Sequence, residues 1–153
     1  MSATTTAPAT TATATAAAAG KATGAGGRLA LARRAAWLVS ALFWSALAVM
    51  EGVDHGWSAG LLALAFFIAP DLTMLVGVGE ARSNARGQLQ SRAVPYYNTA
   101  HRALIPLALL AAYAVMPLTW APALAALYGW VAHISYDRAF GYGLRTKEGF
   151  QRD

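Results

Sequence analysis

Four apolar stretches dominate this chain, each about the length an α-helix needs to cross ~30 Å of hydrocarbon at a rise of about 1.5 Å per residue. They run from Ala35 to about Val53, Trp57 to about Val78, Tyr96 to Met116, and Ala121 to Phe140. The first carries charge only at Glu51 and the second only at Asp71. None shows the broad polar face of a surface helix. A soluble fold would need polar helices to cover these segments, and the sequence supplies none. The chain is 57% apolar and 12% charged, where soluble domains carry about a quarter charged residues. It has no cysteine, which excludes disulfides, thiolate metal sites and cysteine nucleophiles.

The cations give an orientation. All 12 Lys and Arg residues fall in three places. Lys21, Arg28, Arg33 and Arg34 precede the first stretch. Arg82, Arg86, Arg92 and Arg102 lie in the middle connection and the start of the third stretch. Arg138, Arg145, Lys147 and Arg152 close the chain. The short connections, Asp54 to Gly56 and Pro117 to Thr119, have none. Four spans put the three basic places on one side, and the positive-inside rule makes that side cytoplasmic. The expectation is therefore an antiparallel bundle of four transmembrane helices in the inner or plasma membrane, with both termini inside. Trp57 and Trp120 fall at the outer helix ends, where amphipathic rings prefer the interface. The net charge of +5 thus reports membrane orientation, and nothing else supports nucleic-acid binding. The middle connection, Gly79 to Pro95, is polar and basic, with room to cap an inner cavity or lie on anionic headgroups. The oligomeric state is not readable.

Residues 1–27 are almost entirely Ala, Thr and Gly. They lack large apolar side chains to offset the entropy of ordering, so a disordered, retained tail is expected, followed by a single domain over 28–153. Small-x-small cleavage signals are missing after Arg33-Arg34.

Ionisable groups inside the spans carry the chemical information, because each is costly in hydrocarbon and turns inward to find partners. Asp71 lies roughly 21 Å below the outer end of the second span, and His133 and Asp137 roughly 18 and 24 Å below that of the fourth. His101 lies near the inner end of the third. All four reach the cytoplasmic half. His133 and Asp137 are four apart and share a helix face, as do Tyr97 and His101, with Asn98 beside them. A His-x-x-x-Asp pair serves as metal ligands, as a carboxylate-oriented base, or as a structural hydrogen-bonded pair. Asp71, His101, His133 and Asp137 together suit one divalent ion. Candidate catalytic residues are His133 and Asp137, with Arg138, Tyr97 and Asn98 near them. Pro70 is expected to kink the second helix beside Asp71, and Pro106 to bend the third. Glu51, Asp54 and His55 read as a solvated outer turn, and Gly141 as the C-cap of the fourth helix.

Three motifs carry a resemblance: Ala69-Pro70-Asp71-Leu72-Thr73-Met74-Leu75, then Tyr97-Asn98 with Ala100-His101, then Ala132-His133-Ile134 with Asp137-Arg138 and Gly141-Tyr142-Gly143-Leu144. Over roughly Ala35 to Phe150 the chain resembles a small bacterial membrane family known only as domain of unknown function 4260, which implies four spans and no defined activity. It is more distantly similar to inner-membrane metal-dependent hydrolases with the patterns Pro-Asp-x-Asp-His, His-Arg-Gly-x-Thr-His-Ser and Ser-His-x-x-x-Asp. Pro70-Asp71, His101, and His133 with Asp137 match. Thr73, Met74 and Tyr96 replace three of that family's ligands, so the similarity implies a one-metal site or an inactive relic. Three functions stay open: metal-dependent hydrolysis of a lipid-linked phosphate, a binding or assembly protein locked by its polar cluster, and a small proton-coupled permease.

Overall fold

The computed structural model describes residues 10–79, 84–117 and 119–152, with side chains from residue 26 onward. Five α-helices make up its regular structure: α1 (Thr10–His55), α2 (Trp57–Leu72), α3 (Val94–Ala100), α4 (Leu104–Val115) and α5 (Ala121–Phe140). A 3-10 turn, Thr73–Leu75, extends α2, and no strand occurs among the described residues. Of the tail expected to be disordered, residues 1–9 lie outside the described residues, whereas the backbone from Thr10 is helical. That stretch is rich in alanine, which loses no side-chain entropy in a helix. Residues 1–33 and 34–153 form separate compact units, and the candidate site lies wholly in the second.

Two helices are long and apolar enough to cross a membrane, Gly26–His55 and Trp57–Leu75. A single residue, Gly56, turns the chain between α1 and α2, at φ 84°, a left-handed conformation that glycine adopts without steric penalty. Next to this turn Gly52 lies against Gly60, and a Cβ on Gly52 would stand 3.2 Å from the Gly60 Cα. The third expected span is not continuous: α3 and α4 are separated at His101–Ala103. Pro106 is the cause, because its ring displaces the carbonyl of Arg102 and it has no N–H to return. The Arg102 carbonyl instead takes the Ile105 N–H at 3.0 Å.

The packing follows from small residues. Ala48, Ala59, Ala63, Ala125, Ala126 and Ala132 are buried, while Val49, Val53, Leu61 and Leu64 face outward. Small residues at the helix contacts let the backbones approach. A close approach joins α2 to α5, where a Cβ on Gly129 would collide with the Ala63 carbonyl. The Ser40 and Ser135 hydroxyls pair at 3.1 Å between α1 and α5. Helix α5 is thus the inner helix, and its central residues from Val131 to Ser135 are buried. It ends at Gly141, φ 92°, the expected left-handed C-cap.

Candidate metal centre

Three elements deliver the four ionisable side chains. Asp71 lies in the last turn of α2, directly after Pro70. His101 follows α3 at the break before α4. His133 and Asp137 lie one turn apart on α5. The break that positions His101 also frees carbonyls, and an unpaired carbonyl in an apolar setting is costly. Residues of α5 on either side of His133 take them: Trp130 Nε1 donates to the Ala100 carbonyl at 2.7 Å, and Arg138 Nη2 to the His101 carbonyl at 3.0 Å. Pro106 therefore does more than bend a helix.

The imidazole nitrogens meet head on, with His101 Nε2 and His133 Nε2 3.2 Å apart. Asp71 Oδ1 lies 3.5 Å from the former and 3.6 Å from the latter. Asp137 Oδ2 approaches the same nitrogens at 3.4 and 3.8 Å. His101 and His133 are buried, whereas Asp71 is 52% exposed, leaving the centre open on its side.

Proton positions follow from the partners. The Tyr97 carbonyl can only accept, so His101 Nδ1–H donates to it at 2.9 Å, alongside the backbone N–H of His101 at the same distance. In the neutral ring Nε2 is then a bare lone pair. It faces a second imidazole nitrogen and two carboxylate oxygens, which when ionised can only accept. Neutral rings bring at most one proton to these four atoms, the one His133 can carry on Nε2. Such a group is held together either by a proton on one carboxyl or ring or by a cation at its centre, and its ligand atoms lie close enough for a metal ion.

The distances fit one. Tetrahedral zinc with bonds of about 2.0–2.1 Å to nitrogen and oxygen holds its ligand atoms about 3.3–3.4 Å apart. Asp71, His101 and His133 form a converging set whose three ligand atoms lie within 4.8 Å of one another, with edges of 3.2, 3.5 and 3.6 Å. Catalytic zinc sites use three protein ligands and leave a position open. The Nδ1–H to carbonyl bond on His101 is the outer support usual for a ligating imidazole.

Aromatic rings wall the imidazoles. Tyr97 stacks on His101 with centroids 3.8 Å apart, and Phe67 meets His133 edge-on at 5.6 Å. The remaining candidates point elsewhere. Arg138 also donates to the Tyr142 carbonyl, at 3.0 Å, so its guanidinium bonds backbone on both sides. The Tyr97 hydroxyl faces the Gly143 carbonyl at 3.5 Å. The Asn98 carboxamide pairs with the backbone of Arg145. Sequence reasoning missed Trp130 and Arg145. A half-buried indole mid-helix needs a partner for its N–H, and that signal could have identified Trp130; Arg145 has no local signal. The outer group stays apart: Glu51 pairs with His55 at 2.9 Å on α1.

An all-helical protein with a two-histidine, one-carboxylate cluster of metal-ligand spacing is the class these observations define. The chain belongs to the family described as Domain of unknown function (DUF4260), which matches residues 38–153. No curated protein and no solved structure matches it.

Proposed function

We propose that this is a multi-pass protein of the inner or plasma membrane in which Asp71, His101 and His133, with Asp137 beside them, hold one divalent ion and support hydrolysis of a lipid-linked phosphate. The observation that carries this reading is the facing pair of Nε2 atoms, 3.2 Å apart, with a carboxylate oxygen within 3.6 Å of both. Four spans with both termini inside remain the reading that sorts the cations. In it α3 and α4 together make the third span. The fourth is α5, 20 residues long, whose polar side chains turn into the bundle.

A divalent ion in such a donor set polarises a phosphate oxygen and acidifies a bound water. The chain's own groups supply the rest. Asp137 places a carboxylate oxygen 3.4 Å from His101 Nε2, where it can accept a proton. Exposed Arg102 follows His101 and can meet phosphate charge, whereas Arg138 is held by two carbonyls. An apolar groove of about 400 Å³, lined by Ser45, Gly52, Gly60, Phe67 and Ala132 among others, shares with the centre the Phe67 ring, which meets His133 edge-on. It suits the hydrocarbon chain of a lipid substrate. Basic residues around Arg33-Arg34 would lie on anionic headgroups.

Elemental analysis of the detergent-purified full chain tests the metal. One divalent ion per chain, absent from His101→Ala and His133→Ala, is expected, together with metal-dependent phosphate release from a long-chain lipid phosphate in micelles. Folded, metal-free wild-type protein would overturn the reading and favour a cluster that only locks helices together.

A further inference from the structure

The last residues of the chain form a folded element. Segment 141–152 closes on itself, with Thr146 N–H donating to the Phe150 carbonyl at 2.7 Å and Arg152 N–H to that of Leu144 at 2.9 Å. The middle connection holds it from one side: Leu89 N–H donates to the Gly149 carbonyl at 2.9 Å, and Gln88 Nε2 to that of Glu148 at 2.7 Å. Gly149 permits this approach, since a Cβ there would collide with the Leu89 carbonyl.

From the other side the segment is fastened to the helix that presents His101. Asn98 Nδ2 donates to the Arg145 carbonyl at 2.9 Å, and Asn98 Oδ1 accepts the Arg145 N–H at 2.7 Å. The carboxamide thus pairs with one backbone residue as a neighbouring strand would. The Arg145 guanidinium reaches the Gly87 carbonyl at 3.1 Å. Its central carbon lies 5.5 Å from the centre of the Tyr97 ring, within cation–π range. Tyr97, 1% exposed, stacks on the His101 imidazole and gives it the carbonyl that fixes its Nδ1 proton.

We propose that the C-terminal segment is a working part of the centre: Asn98 and Arg145 are positioning residues that clamp Tyr97 and so fix the plane and tautomer of His101. This rests on the reading of the cluster as a metal site. Neither side chain touches a ligand atom, and both act through Tyr97. Outer supports of metal-bound histidines typically change affinity by about 10–100-fold when removed.

Two measurements on the full-length protein in detergent test this. Chelator competition gives zinc affinity, and ¹⁵N-histidine resonances of metal-free protein report the His101 tautomer. Asn98→Ala and Arg145→Ala are each expected to weaken zinc by about 10–100-fold at unchanged stoichiometry and to shift His101 toward mixed tautomers. Gln88→Ala loosens the same segment away from Tyr97 and should leave both readouts at wild type. Asn98→Asp, which keeps the acceptor for Arg145 N–H, should recover part of the affinity. Should Asn98→Ala misfold, Arg145→Ala still decides, because it keeps the carboxamide clip. Wild-type affinity and unaltered His101 resonances in both alanine variants would overturn the proposal. If wild-type protein binds no zinc, the metal reading fails; altered His101 resonances would then still support the clamp, and unaltered ones would overturn it.

Discussion

Glu51–His55 and His133–Asp137 are the same device in sequence, an imidazole and a carboxylate four residues apart on one helix. The outer pair is closer, at 2.9 Å against 3.8 Å, yet only the inner one belongs to a candidate site. The outer pair draws on α1 alone, and its histidine is 50% exposed. The inner pair meets Asp71 from α2 and His101 from the break after α3, with both imidazoles buried. Spacing along one helix makes an ion pair. Convergence of separate elements, with each acceptor aimed at one point, makes a place for a cation.

Mutations at the two pairs should have opposite effects, and the largest is expected there. His101→Ala or His133→Ala abolishes stoichiometric metal by elemental analysis, while Glu51→Ala and His55→Ala retain it. Loss in His55→Ala would break the comparison. Next comes the scaffold. Gly129→Ala forces α5 from the α2 backbone, and its overpacking should cost about 3 kcal/mol in detergent unfolding, with weaker metal binding as Asp71 separates from His133. Gly60→Ala, where a Cβ meets nothing nearer than 3.8 Å, should be nearly silent. Trp130→Phe leaves the Ala100 carbonyl unpaired and should cost about 1–2 kcal/mol by the same measurement. At the foot of the scale is Glu148, whose carboxyl is held below the usual range by its own backbone amide and the Thr146 hydroxyl. Such a depressed group stabilises the fold above its unfolded pKa and loses that effect as pH falls through the folded one. Because it is fully exposed, Glu148→Gln should leave the melting temperature at pH 7 unchanged.

The proximity of Asp71, His101 and His133 agrees with the expectation drawn from the sequence, which combined the rise of a helix with an expected direction for each span. Depth alone could not foresee the break at His101–Ala103. Pro106 signals a lost backbone bond, but whether the helix bends or parts depends on what receives the freed carbonyls, and the receivers, Trp130 and Arg138, lie 30 and 37 residues further on. The partners of Tyr97 and Asn98 were hidden for a similar reason. Their spacing from His101 places them beside the centre, while their hydrogen-bonding groups meet Gly143 and Arg145, some 46 residues away.

Composition and periodicity by themselves determined an all-helical chain; of the four spans they led one to expect, two described helices, Gly26–His55 and Trp57–Leu75, are long and apolar enough to cross a membrane. These are local properties, set by side-chain hydropathy and a fixed rise per residue. Which face of each helix meets which neighbour, and which groups receive the carbonyls freed at His101–Ala103, were decided only by tertiary structure. Each depends on a polar atom finding its partner on another element, and no local pattern encodes that pairing.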